Sequence, residues 1–181
     1  MALVYLGIGA NLDPEDNILR GIQRLSEDVT ILRLSPWYGS PAIGFDGPAF
    51  INLVAEVDTE MAVGELAVVL KVIEQEFGRK KHAIKYSSRA LDIDILMYDD
   101  LNGVIDGVDL PRSDIWQYAF VLRPLLDLIP WERCPGSGQF LHEYWDGVKE
   151  QPLSRCDCES ASDQTQNDVT PSSPLKAPLS H

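Results

Sequence analysis

Two aspartates carry the first chemical signal. In "SSRALDIDIL", residues 87–96, Asp92 and Asp94 stand two apart inside an apolar run, with Arg89 just before them. Aspartate is depleted in strands, and two carboxylates on one strand face are costly to bury. Residues two apart in a strand point to the same side, roughly 6.6 Å apart along the chain. Leu91, Ile93 and Ile95 then point the other way, into a core. A carboxylate pair so placed can reach one metal ion or a close pair of ions. Oxygen-only ligands suit magnesium, which completes its shell with water and substrate phosphates. An ordinary solvent-facing strand shows the same alternation, so the pair alone is a weak motif.

Its neighbourhood sharpens the reading. "GRKKHAIKYSSR" holds Arg79, Lys80, Lys81, Lys85 and Arg89, a third of the chain's 15 basic residues. A solvated basic loop is one explanation. The other is a polyphosphate site, with carboxylates holding Mg²⁺ and the cationic side chains taking phosphate oxygens. The whole chain has a net charge of −13. It should therefore repel nucleic acid while still accepting a small anion at a local positive patch. There is no G-x-x-x-x-G-K-[ST], so this is not a P-loop. "GIGAN" reads as a Gly-rich turn closing the first strand.

The elements that must position these groups are legible from periodicity. "ALVYLGIGA" reads as a buried strand, and "DPEDNILRGIQRLSED" as a helix with Asp13 as N-cap and Pro14 at its first position. "VTILRLSPWY" is strand-like and stopped by Pro36. "AFINLVAEVDT" is a second strand, able to pair with it through the long connection "GSPAIGFDGP". "MAVGELAVVLKVIEQEFG" is an amphipathic helix ending at Gly78, and "ALDIDILMYD" is the fourth strand. The order β-α-β-β-α-β predicts an α+β fold with a ferredoxin-like core, a mainly antiparallel sheet with helices packed on it. "YAFVLRPLLDLIP" and "GQFLHEYWDGV" are extra elements covering the core.

Composition sets the limits. The 181 residues are 45% hydrophobic, which suits one domain with a sizeable core. That domain is expected over residues 1–150. Residues 151–181, rich in Ser, Pro, Asp, Asn and Gln and lacking aromatics, are expected to form a disordered, dispensable tail. No apolar run can span a bilayer, and no secretory pattern is visible. Cys134, Cys156 and Cys158 form no even disulfide framework and no zinc spacing, so a cytoplasmic protein is the simplest reading. On residues alone, the chain is a Mg²⁺-dependent enzyme for a phosphate-bearing substrate, or a charged ferredoxin-like binding module.

The ordered set "YLGIGANL", "SPWYGSPAIG", "PAFINLVAEVDT", "VIEQEFGR", "SSRALDIDIL", "DLPR" and "FVLRPLLDLIP" resembles the 6-hydroxymethyl-7,8-dihydropterin pyrophosphokinase family, from about Leu3 to Asp146. The resemblance implies transfer of the pyrophosphoryl group of ATP to the pterin hydroxymethyl oxygen, with release of AMP, in folate biosynthesis. It implies two Mg²⁺ ions on Asp92 and Asp94, and ATP as co-substrate. Catalytic contacts fall to Arg79, Arg89, Asp92 and Asp94. ATP contacts fall to Glu74, Arg79, Lys81, Lys85, Arg89, Ile95, Arg112 and Tyr118. A pterin pocket is implied from Ser40, Pro41, Ile43, Phe50, Asn52, Tyr86 and Phe120. Two aromatics sandwiching a flat heterocycle, with an Asn amide on its polar edge, make physical sense. No protein nucleophile, membrane or nucleic-acid partner is implied, and a monomer is expected.

Several positions depart from the family's pattern. Ser87-Ser88 stand where Gly-Pro is usual, Tyr86 where Trp is usual, and Lys81 where Arg is common. Arg112 replaces a histidine, and Tyr118 replaces an arginine that contacts ATP. Losing one charge-assisted phosphate contact costs roughly 1.5–3 kcal/mol. Arg112 is expected to compensate from a shifted position. The alternative is a catalytically weak homologue that binds pterin or nucleotide as a regulatory protein.

Overall fold

The computed structural model describes residues 1–78 and 88–157. The expectations placed on Arg79, Lys80, Lys81, Lys85, Tyr86 and Ser87 lie outside the described residues, as do those on residues 158–181. Within them, β1 (Ala2–Ala10), α1 (Pro14–Leu25), β2 (Thr30–Leu34), β3 (Tyr38–Ser40), β4 (Phe50–Thr59), α2 (Val63–Glu76) and β5 (Asp92–Tyr98) form the core. A small hairpin, β6 (Gly103–Ile105) with β7 (Val108–Leu110), precedes α3 (Asp114–Gln117) and α4 (Ala119–Leu128). A 3₁₀ segment over Leu141–Gly147 and β8 (Ser154–Arg155) complete the elements of the described residues.

All the sheet pairings are antiparallel. The main sheet runs β5-β1-β4-β3-β8, and β2 also pairs with β4. Here β2 and β3 are two pieces of one strand, split at Ser35-Pro36-Trp37. Pro36 has no N–H for the ladder. The Ser35 hydroxyl fills part of the break by accepting the Val54 N–H at 2.9 Å. Pro36 thus interrupts the strand but does not end it, and Tyr38 resumes pairing opposite Asn52.

Alternation in the strands gives the sheet two apolar faces. One buries Leu6, Ile8, Leu53, Ile93 and Ile95 against Ile18 and Leu25 of α1 and Leu66, Leu70 and Ile73 of α2. The other buries Val54, Leu96 and Met97 against Leu122, Leu125 and Leu126 of α4. The expected covering segments therefore include a second helical layer, and the sheet lies between α1 and α2 on one face and α4 on the other. Pro14 opens α1 as expected, but Asp13 adopts left-handed backbone (φ 39°) with no side-chain cap bond. Glu15 and Asp16 instead bring negative charge to that helix end. Gly78 ends α2 at φ 91°, a conformation that glycine adopts cheaply.

The expected boundary at residue 150 is corrected by β8. Tyr38 pairs with Arg155 and Gly39 with Ser154, and the Cys156 N–H donates to the Trp37 carbonyl. Gln151 accepts the Ala119 N–H and donates to the Gln117 carbonyl, both at 2.9 Å. Composition hid this because the segment is held by backbone pairing and side-chain amides rather than by an apolar stripe.

Candidate active site

A cavity of about 340 Å³ opens on the α4 face of the sheet, at the end where β1 leaves it. Its floor follows from strand register. Gly7 lies between Asp94 and Val54, and Gly9 lies between Asp92 and Asn52. Both glycines lie inside β1, not in a turn after it, which corrects the reading of "GIGAN". A Cβ on Gly9 would come within 3.0 Å of Asn52 Oδ1, and one on Gly7 within 3.3 Å of Leu96. The absent side chains leave the space above the central strand open. The period-two spacing that singled out the aspartates also places these two glycines on one face.

One wall is carboxylate and guanidinium. Asp92 and Asp94 both face the cavity, as their spacing predicts. Arg89 donates to Asp92 at 2.6 Å. Arg112 lies 3.4 Å from Asp94, and its Nε donates to Asp114 at 2.6 Å. Arg112 reaches this place because its backbone N–H donates to the Leu96 carbonyl on the outer edge of β5. Burial, and then the neighbouring Asp92 charge, push the Asp94 carboxyl up to about 6, against the opposing pull of Arg112. A carboxylate whose ionisation is opposed by burial and by a neighbouring carboxylate fits a site for a divalent cation. No cluster of three or more potential ligands occurs among the described residues. A cation here would therefore take its remaining ligands from water and substrate, as magnesium does.

The opposite wall suits a flat, polar-edged ring. Ser40, Pro41, Ile43, Phe50, Asn52 and Phe120 all line the cavity. The Asn52 amide is buried, and its Nδ2 donates to Ser40 Oγ at 2.9 Å. Phe45, which the sequence reading passed over, packs edge-on to Phe50 with ring centroids 6.3 Å apart. Tyr118 stacks on Phe120 at 5.0 Å with 22° between the planes. It thereby extends the aromatic wall.

Two expected nucleotide contacts sit elsewhere. Ile95 is buried on the face covered by α1 and α2, because strand alternation turns it away from Asp94. Glu74 is buried on α2, and its carboxylate accepts the Ile93 N–H at 2.9 Å. It caps the exposed edge of β5 between the two aspartates and does not line the cavity. Asp114 escaped the sequence reading. Its signal was its position two residues after Arg112 in "PRSD", but only the fold turns both side chains toward Asp94.

An α+β domain of ferredoxin-like topology, with a cleft that joins a two-carboxylate wall to an aromatic wall, is the class that fold and site define. Comparison with known proteins narrows it. Residues 5–130 match the family model of 7,8-dihydro-6-hydroxymethylpterin-pyrophosphokinase (HPPK), and the chain belongs to that family. It is 36% identical over 164 residues to the Pseudomonas aeruginosa 2-amino-4-hydroxy-6-hydroxymethyldihydropteridine pyrophosphokinase, covering 82% of this chain and 96% of that one. The enzyme of that name from Aquifex aeolicus is 36% identical over 132 residues, 72% of this chain and 82% of the relative. An Arabidopsis thaliana folate synthesis bifunctional protein is 35% identical over 129 residues, 70% of this chain, and the match spans only 27% of that longer protein. Among solved structures, a Plasmodium falciparum HPPK-DHPS superposes with a TM-score of 0.62 at 14% identity, over 85% of this chain and 47% of that one. That likeness supports the fold.

Proposed function

We infer that the protein transfers the pyrophosphoryl group of ATP to the hydroxymethyl group of 6-hydroxymethyl-7,8-dihydropterin, releasing AMP, in folate biosynthesis. The observation that carries this is one cavity joining Asp92, Asp94 and Arg89 to Ser40, Asn52, Phe50 and Phe120 in a chain of this family. The relatives at about 35% identity bear pyrophosphokinase names, which favours transfer over a binding-only homologue.

In the reaction the hydroxymethyl oxygen bonds to the β-phosphorus of ATP. The bond from that phosphorus to the bridging oxygen breaks, AMP departs with the electron pair, and the hydroxyl loses its proton. Such transfers need positioning and charge neutralisation more than covalent help. Asp92 and Asp94 would hold Mg²⁺, which neutralises the polyphosphate and the leaving oxygen. Arg89 and Arg112, already beside the aspartates, present guanidinium groups to phosphate oxygens. Asp114 fixes Arg112 through Nε, Nη1 lies beside Asp94, and the guanidinium so held would meet the substrate from that side. Asn52 and Ser40 orient the pterin amide edge, and Phe50, Phe45 and Phe120 supply apolar contact. Arg79, Lys81, Lys85 and Tyr86 complete the site by family position.

Among the described residues no helix is long and apolar enough to cross a membrane. We further infer a cytoplasmic monomer that binds no nucleic acid. The test is AMP release from ATP, Mg²⁺ and the pterin. AMP formation that requires the pterin, the metal and both aspartates supports transfer. Pterin or ATP binding without AMP formation would favour the binding-only homologue.

A further inference from the structure

Gln151 lies beyond the 5–130 family match and does not line the cavity. Its side-chain amide nevertheless holds the chain on both sides of a residue that does. Nε2 donates to the Gln117 carbonyl and Oε1 accepts the Ala119 N–H, each at 2.9 Å. Between them stands Tyr118, an extended residue (φ −131°, ψ 127°) that joins α3 to α4. Both bonds meet a need that the helices leave. The carbonyl of a last helical residue and the N–H of a first one have no partner inside their own helix. Ala119 is 1% exposed, so water is a poor substitute there. A carbonyl can only accept and an N–H can only donate, so the two partners fix which way the amide faces.

What the amide holds is one end of the aromatic wall. Tyr118 and Phe120 both line the cavity, and their rings stack at 5.0 Å with 22° between the planes. That stack depends on the backbone between them, because rotation about ψ of Tyr118 or φ of Ala119 swings one ring away from the other. The Tyr118 carbonyl accepts the Val121 and Leu122 N–H groups at 3.2 and 3.0 Å, which fixes the first turn of α4. Gln151 ties that turn to the end of α3. It is itself anchored. Its N–H donates to the Val148 carbonyl at 3.0 Å, Val148 and Leu153 pack in the core beside α4, and Ser154 and Arg155 pair with β3. β3 ends at Ser40, which accepts the Asn52 amide and also lines the cavity. One short segment thus braces the ring site at two places, the α3–α4 junction and β3.

We propose that Gln151 is a positioning residue for the pterin side of the cleft: by clasping residues 117–119 it sets Tyr118 and Phe120 as one aromatic slab against which the pterin ring lies. The inference rests on the pyrophosphokinase reading of the cleft. The hydrogen bonds of Gln151 go to Gln117, Ala119 and Val148, and so bypass Arg89, Asp92 and Asp94. Its loss should therefore fall on one substrate and spare the other.

The test is calorimetry on the full chain. 6-Hydroxymethyl-7,8-dihydropterin is titrated into protein saturated with α,β-methylene ATP and Mg²⁺, and the analogue with Mg²⁺ is titrated by itself. Gln151→Leu removes both hydrogen bonds at similar size. It should bind pterin about tenfold more weakly than wild type, and the analogue within about twofold of wild type. An unchanged pterin affinity overturns the proposal, and so does an equal loss for both ligands. Gln151→Glu keeps the acceptor for Ala119 and sets a carboxylate against the Gln117 carbonyl. It should show the same one-sided loss, and wild-type pterin affinity in this variant overturns the clasp. Hydrogen exchange on the wild-type chain gives a readout that needs no variant. With the analogue in place, pterin should further slow exchange of the Ala119 amide and leave the β6–β7 hairpin unaffected. No added protection at Ala119 overturns the proposal. A wild-type chain that binds no pterin overturns the functional reading along with it, whereas a pterin-binding wild type matched by Gln151→Leu overturns the positioning role alone.

Discussion

Asp94→Asn should stabilise the metal-free protein at neutral pH while removing a ligand that the proposed reaction needs. The Asp94 carboxyl rises from 3.8 to about 6 in the folded chain. At 1.36 kcal/mol per unit, that shift corresponds to an upper limit of about 3 kcal/mol. The side chain keeps 35% of its surface open to water, so screening brings the expected effect down to about 1–1.5 kcal/mol. A folded-state pKa above the unfolded value means that the folded chain holds its proton more tightly. The ionised carboxylate therefore destabilises the fold. That penalty is fully present above pH 6 and disappears as pH falls through 6 toward the unfolded value near 4. Urea unfolding in chelator at pH 7.5 and again near pH 4 reads the difference between variant and wild type. Carboxylates remote from Asp94 contribute equally to both proteins and cancel, and Asp92 and Asp114, which face it, feel the same loss of charge that the variant is designed to produce. The variant should be the more stable at pH 7.5, and its advantage should shrink at the acid end. Adding Mg²⁺ at pH 7.5 should close the gap, because a ligand of the folded state stabilises only the chain that binds it. A variant no more stable than wild type at pH 7.5, or an advantage independent of pH, would refute the crowded-carboxylate account.

Other perturbations separate the roles of neighbouring groups. Asp114→Ala frees Arg112 from its 2.6 Å tether, and steady-state kinetics should show KM for ATP raised about tenfold, the scale of one charged hydrogen bond. Its unfolding free energy should move by less than about 1 kcal/mol, since the pair is partly exposed. Gly9→Ala puts a methyl 3.0 Å from Asn52 Oδ1, so calorimetry should show markedly weakened pterin binding. Its stability should change by less than about 1 kcal/mol, because alanine recovers backbone entropy in the strand. Deleting residues 158–181 should leave the thermal midpoint and AMP release unchanged. Deleting from residue 151 removes two Gln151 hydrogen bonds, the β8 pairing and Leu153 packing, and should cost about 2–4 kcal/mol. Equal midpoints for the two truncations would show that β8 does not support the fold.

What the sequence determined alone is what local periodicity and chemistry encode. Period-two alternation in "ALDIDILMYD" assigns a strand, a core face and a carboxylate face, because side-chain direction in a strand does not depend on its partners. The two long helices and the βαββαβ order follow similarly from apolar spacing, Pro14 and Gly78. The tertiary structure decided what depends on register and on chain segments far apart in sequence. Gly7 and Gly9 become a cavity floor only because β1 lies between β4 and β5 in one register. Arg112 meets Asp94 only because its N–H finds the Leu96 carbonyl on the edge of β5. Residues 151–157 read as tail until β3 offers them a free edge. Asn11, an ordinary residue after a strand, acquires its place when Pro48 and Arg89 arrive from opposite sides. In each case the deciding interaction is a backbone hydrogen bond or a close approach between distant segments, and neither leaves a repeat or a composition bias in the chain.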